Sequence, residues 1–158
     1  IAGAQTGAAI NVHIDPAGAC GLEVIDVLVD EGFDPTRLVL SHMDEHMDYA
    51  YHLAVAETGA AVEYDTFGSE FYWGRLEREP TDLERFAGVR HLLDAGHRDR
   101  IVLGCDIWLK MGLRRYGGMG YDHLLRRVVP ALRNAYDVTQ DEIAAMLVDT
   151  PRRILDRP

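Results

Sequence analysis

Ala8-Ala9-Ile10-Asn11-Val12-His13 is a short apolar run that ends on an imidazole, and a stretch of helical spacing follows it from Gly21 to Glu31. Within that stretch Leu22, Ile25 and Val29, together with Val24, Val27 and Leu28, give a helix a broad apolar face. The same unit recurs three more times. Arg37-Leu38-Val39-Leu40-Ser41-His42 reads as a second strand, and Met47 to Glu57 as a helix stopped by Thr58-Gly59. Ala61-Val62-Glu63-Tyr64-Asp65 is a third strand. A loop from Thr66 to about Pro80 leads to a helix that Thr81-Asp82 caps and that reaches Ala95-Gly96. Arg100-Ile101-Val102-Leu103-Gly104-Cys105-Asp106 is a fourth strand. After it come a glycine-rich loop (Tyr116 to Tyr121), a helix from Asp122 to Ala135, and a last helix from Thr139 to Leu155 that Pro151 interrupts.

Strand–helix units without hairpin turn signals predict parallel strands buried on both faces. Two α/β architectures satisfy that: a small doubly wound sheet, or part of a (β/α)8 TIM barrel. A dinucleotide-binding doubly wound sheet needs a glycine-rich turn after a strand, and none stands at these strand ends. What stands there is His13, His42, Asp65 and Asp106. Polar side chains at the C-terminal ends of successive strands are how barrels build their sites, and a whole barrel needs about 250 residues. With 158 residues, the expectation is one partial TIM-barrel domain over residues 1–158.

Composition narrows the partners. Hydrophobic residues make up 47% and charged residues 27%, a globular mixture that excludes disorder and coiled coil. The net charge of −10 argues against nucleic acid, whose phosphates need a basic face. No apolar run approaches the roughly 18 residues of a membrane span, and no leader-like segment opens the chain. Only Cys20 and Cys105 are present, too few for a disulfide framework, so a cytoplasmic location is expected. The chain opens on Ile1 rather than Met, which predicts a cut N-terminus.

Two imidazoles and a carboxylate on one rim can reach a common divalent ion, and zinc accepts both donor types. The competing reading makes His13 and His42 core or cap residues bonded to backbone, and Asp65 a turn former. His42-Met43-Asp44 also matches the His-x-Asp of iron oxygenases, although those enzymes use an antiparallel double-sheet barrel. His46, His52, His91, His97 and His123 read as surface or packing residues. Glu77, Glu79, Asp82 and Glu84 read as solvated surface and helix start. Cys105 reads as a packed thiol.

The chain resembles the C-terminal half of the phosphotriesterase-like amidohydrolases, the family of parathion hydrolase and its lactonase relatives. The resemblance rests on residues 6–13, on Val39-Leu40-Ser41-His42-Met43-Asp44, on Val62-Glu63-Tyr64-Asp65-Thr66-Phe67-Gly68 and on residues 100–106. It continues through residues 116–125 and 149–155, in order and over essentially the whole chain. It implies a metal-dependent hydrolase of lactone, carboxylic ester or organophosphate ester bonds, with two divalent ions, usually Zn2+, in a complete barrel. Strands five, six and eight would then end at His13, His42 and Asp106. His13 and His42 would bind the more exposed ion and Asp106 the more buried one, with Asp106 also handling the proton of the attacking hydroxide. The family's strand-one His-x-His pair and strand-four carboxylate fall outside this sequence, and Asp149-Thr150-Pro151 stands where Asn-Pro is expected. Tyr64, Phe67 and Trp108 are candidates for the substrate pocket, each also explicable by packing. The alternative is a non-catalytic half-barrel that binds metal weakly and self-associates, because unpaired sheet edges drive association. Homo-oligomerisation or pairing with the absent half-barrel is expected on the same ground.

Overall fold

The computed structural model describes residues 2–71 and 79–156. Four strands, β1 (Ile10–His13), β2 (Leu38–Ser41), β3 (Ala61–Tyr64) and β4 (Ile101–Leu103), form one sheet in sequential order. All three pairings are parallel, with His13 opposite Ser41, Leu40 opposite Val62 and Tyr64 opposite Leu103. The helices are α1 (Ala2–Thr6), α2 (Gly21–Asp30), α3 (Tyr49–Glu57), α4 (Asp82–Asp94), α5 (Val129–Ala135), α6 (Gln140–Ala144) and α7 (Thr150–Leu155). Local chemistry sets their starts: the Asp48 carboxylate accepts the N–H groups of Ala50 and Tyr51, and Thr81 and Glu84 form a capping box. The α/β class and the four parallel strands are as expected. The C-terminal helices are not simply broken at proline. A π-helical turn, Leu124–Val128 or Ala145–Asp149, precedes α5 and α7, whose Pro130 and Pro151 sit in the first turn. There a wider turn and a missing N–H are both tolerated.

Because side chains alternate along a strand, the two sheet faces differ. One face carries Leu38, Leu40, Val62, Tyr64 and Ile101 into the main core beneath the helices. The other carries Val39 and Ala61, which pack with Ile154 of α7 into a small second cluster. Arg153 ties α7 down by donating to the carbonyls of Thr36 (3.1 Å) and Asp99 (2.7 Å). Higher on this face the Asn11 amide donates to Glu63 Oε2 at 3.1 Å, and the Ser41 hydroxyl lies against both. β1 and β4 form the sheet edges. No helix among the described residues is long and apolar enough to cross a membrane.

Tyr64 is a correction. It shares a face with Val62, opposite Glu63, and is 0% exposed in the main core. Its hydroxyl donates to His52 Nδ1 at 2.6 Å, while His52 Nε2–H donates to the His46 carbonyl at 2.9 Å. α4 approaches so closely that a Cβ at Gly88 would collide with the Tyr64 hydroxyl and with Met47. His52 is therefore held neutral, and burial pushes its pKa down to about 4. The unfolded chain takes up this proton near pH 6.5, so stability falls as pH drops from 6.5 toward 4. Denaturant unfolding at pH 7 and pH 5 is expected to show a loss of about 2 kcal/mol from this group. In His52→Gln that part of the pH dependence disappears; an unchanged slope would contradict the assignment.

Candidate functional site

In a parallel sheet every strand delivers its C-terminal end to the same rim. There His13, His42 and Asp106 line a cleft of about 520 Å³ together with Asp15, Glu45, Thr66, Ser69 and Trp108. The His13 and His42 rings meet edge to face with centroids 4.4 Å apart. Two of the three candidate ligands occupy the left-handed region, His42 at φ 62° and Asp106 at φ 36°. Such backbone is strained for residues with a side chain and persists where the surroundings over-determine it. Among the described residues no three His, Cys, Asp or Glu side chains converge closely enough to hold a metal ion by themselves.

His42 is nonetheless organised as metal-binding imidazoles are. Its Nδ1–H donates to Asp65 Oδ1 at 3.1 Å, and its backbone N–H donates to the same oxygen at 3.0 Å. A carboxylate on one ring nitrogen fixes the tautomer and leaves Nε2 for a ligand. Glu45 lies 4.0 Å from the same Nδ1. The bond from Asp65 pushes the His42 pKa up to about 9, against the opposing effect of burial; Glu45 and Asp106 add to the rise. Burial pushes the Asp65 carboxyl up, and the bond from His42 pulls it back. Asp65 thus supports a rim imidazole rather than merely forming a turn.

The remaining expectations separate cleanly. Phe67 is 1% exposed and stacks on Phe86 with centroids 5.5 Å apart, yet one edge reaches an adjoining chamber of about 220 Å³. Trp108, 63% exposed, borders both that chamber and the cleft. The chamber walls are otherwise mostly apolar, with Phe71, Ile107, Leu109 and Met119 among them. Asp44 does not join His42 in a His-x-Asp site: it is 0% exposed and ion-paired to Arg85 at 3.0 Å. Glu79 is buried rather than superficial, at 2% exposure, and His123 takes the packing alternative at 5%; Glu77 lies outside the described residues. Cys105 packs against the core, and burial pushes its thiol up to about 11. Asp15, Glu45, Thr66 and Ser69 in the cleft wall went unread. Only their positions, just beyond strand ends, signalled them.

A parallel four-stranded α/β sheet with imidazoles and carboxylates gathered on one rim is consistent with part of a barrel. The chain belongs to the phosphotriesterase family, whose sequence profile matches residues 1–155. It is 32% identical over 155 residues to an N-acetyltaurine hydrolase of Dictyostelium discoideum, covering 96% of this chain and 42% of that protein. Its fold is similar to a resiniferatoxin-binding protein from Rhodobacter sphaeroides (TM-score 0.93, 34% identity, 98% of this chain and 44% of that one). It is also similar to the lactonase Lmo2620 from Listeria monocytogenes (TM-score 0.83, 26% identity, 99% and 47%). The chain thus spans less than half the length of the curated relatives it matches.

If Asp65 is what raises His42, its removal will show directly. In Asp65→Ala, NMR titration of the metal-free protein should move the His42 ring pKa from about 9 to near its ordinary value of about 6.5. A midpoint that stayed near 9 would place the cause elsewhere.

Proposed function

We propose that this chain is the C-terminal half of a (β/α)8-barrel hydrolase, contributing strands five to eight and part of a divalent-metal site, with zinc as the expected metal. The observation that carries the reading is the pairing of His42 with Asp65 beside His13 and Asp106 in one cleft. These donors suit zinc, with His13, His42 and Asp106 as ligands. The other ligands would come from the strands that complete the barrel against the edges β1 and β4. Such an ion supplies Lewis acidity toward a carbonyl or phosphoryl oxygen and lowers the pKa of water.

The chain's own residues do the rest. His42, locked by Asp65, presents Nε2 to the cleft without a conformational search. The Asp106 carboxylate accepts the proton of the attacking water and passes it to the leaving group, a role for which a carboxylate at the reacting centre is suited. Phe67 and Trp108 border a mostly apolar chamber that receives the substrate's non-polar part. The bonds expected to be cleaved are those of lactones, carboxylic esters or organophosphate esters, and the lactonase likeness favours the first two. The likeness to N-acetyltaurine hydrolases adds a carboxylic amide to this range, because the same attack on a carbonyl cleaves it.

The test is hydrolysis of a lactone, ester, organophosphate and N-acyl amide panel by the zinc-loaded protein. Asp106→Asn should lower kcat by about 10²–10⁴, and chelation should abolish turnover until zinc is restored. Turnover indifferent to both would overturn the reading. Metal binding also requires a neutral Nε2, while His42 holds its proton up to about pH 9. Zinc binding at pH 7 should therefore release a proton, measurable by calorimetry in buffers of different ionisation enthalpy, and affinity should rise with pH toward 9.

A further inference from the structure

Behind the cleft lies a buried charged network that the proposed chemistry does not use. Asp44, in the turn after β2, accepts the Asp65 N–H at Oδ1 (3.2 Å). Its Oδ2 accepts both the N–H (3.0 Å) and the hydroxyl (2.9 Å) of Thr66. Arg85 of α4, 0% exposed, places its guanidinium among three acceptors. Nε lies 3.0 Å from Asp44 Oδ2 as an ion contact off the hydrogen-bonding line. Nη1 donates to Asp82 Oδ1 at 3.1 Å and Nη2 to the Ser69 carbonyl at 2.9 Å. Asp82 in turn accepts the Gly68 N–H at 2.8 Å and the His123 Nε2–H at 3.3 Å.

Backbone groups of Asp65, Thr66, Gly68 and Ser69 are thus all held by three side chains from two other elements. That segment carries the carboxylate bonded to His42 and two residues of the cleft wall. Burying a guanidinium between two carboxylates is a poor route to stability, since desolvation offsets much of the attraction. It is a good route to fixed geometry, because the planar fork presents five donors in set directions, which an ammonium does not. We propose that Arg85 is a positioning residue that, through Asp44 and Asp82, fixes the segment after β3 and so keeps the Asp65 carboxylate on the His42 ring. Its consequence for metal binding rests on the function proposed above; its effect on the His42–Asp65 bond does not.

The readout is the slowly exchanging, hydrogen-bonded Nδ1 proton of His42 in long-range ¹H–¹⁵N spectra of the metal-free full chain, assigned by its loss in Asp65→Ala. In Arg85→Gln this proton is expected to vanish. Removing one partner of a buried pair endangers the fold, so Asp44→Asn/Arg85→Gln, which leaves no fully buried charge because Asp82 is 20% exposed and keeps Gly68 and His123, is the second variant. It should unfold cooperatively yet also lack the Nδ1 proton, and bind zinc 10–100-fold more weakly. Arg85→Lys should not restore the proton, since a single ammonium cannot span three acceptors. A folded double variant that keeps the proton and binds zinc within twofold of wild type would make the network a mere strut and overturn the proposal. Full rescue by lysine would overturn it too. Should neither glutamine variant fold, amide exchange of Asp65, Thr66 and Gly68 in the wild-type chain decides: core-level protection supports the proposal, and loop-like exchange defeats it. Wild-type protein that binds no zinc, with the proton lost only in the variants, would remove the metal reading and leave the positioning role standing.

Discussion

Parallel hydrogen bonding between four consecutive strands is the constraint from which the site follows. Parallel pairing forces each connection back across the sheet, covers one face with helices, and delivers every strand's C-terminal end to one rim. His13, His42 and Asp65 meet there because of polarity and register alone: His13 pairs opposite Ser41, one residue before His42. A one-residue slip in β1 would turn His13 to the helix face and carry Ile10 and Val12 out of the core.

Proximity at the rim does not by itself make a site. An exposed imidazole samples many orientations, and a site needs one. Here orientation is supplied from beneath, in layers. Asp65 fixes the His42 ring, Asp44 fixes the Asp65 and Thr66 backbone, and Arg85 and Asp82 fix Gly68 and Ser69. Beneath the Asp65 carboxylate, whose side chain is 11% exposed, those of Asp44 and Arg85 are 0% exposed, while Asp82 at the margin of the network is 20% exposed. Electrostatic attraction is strongest where water is excluded, between Asp44 and Arg85. The left-handed backbone at His42 is tolerated because its N–H and its ring are both anchored to one carboxylate oxygen.

What could be read in advance follows from how local each signal is. Apolar periodicity and the absence of hairpin turns gave the strand order's raw material, and strand-end chemistry pointed to His13, His42 and Asp106. Those signals live within about ten residues. Tyr64 was misread because an aromatic residue next to a strand-end aspartate looks like pocket wall. Only the alternation of β3, with Glu63 on the concave face, sends it into the helix layer. Asp44 and Arg85 were illegible for another reason. An aspartate two residues after a histidine suggests a shared ligand set, and an arginine in a capped helix suggests solvent. Their partnership spans 41 positions and exists only once α4 has docked. His123, read as a surface or packing residue, is packed and also closes the network on Asp82.

The sheet face opposite the helices changes character along the strands. At its floor Val39, Ala61 and Ile154 pack together, with α7 held down by Arg153. At mid-height Asn11, Ser41 and Glu63 satisfy one another. Above that layer stand His13, His42 and Asp106, which line the cleft. A half-buried carboxylate such as Glu63 needs hydrogen-bond partners for the sides it loses to water, and here two neighbours on the same sheet supply them. Apolar floor, hydrogen-bonded polar layer and the cleft with its imidazoles and carboxylates thus follow one another along the strands.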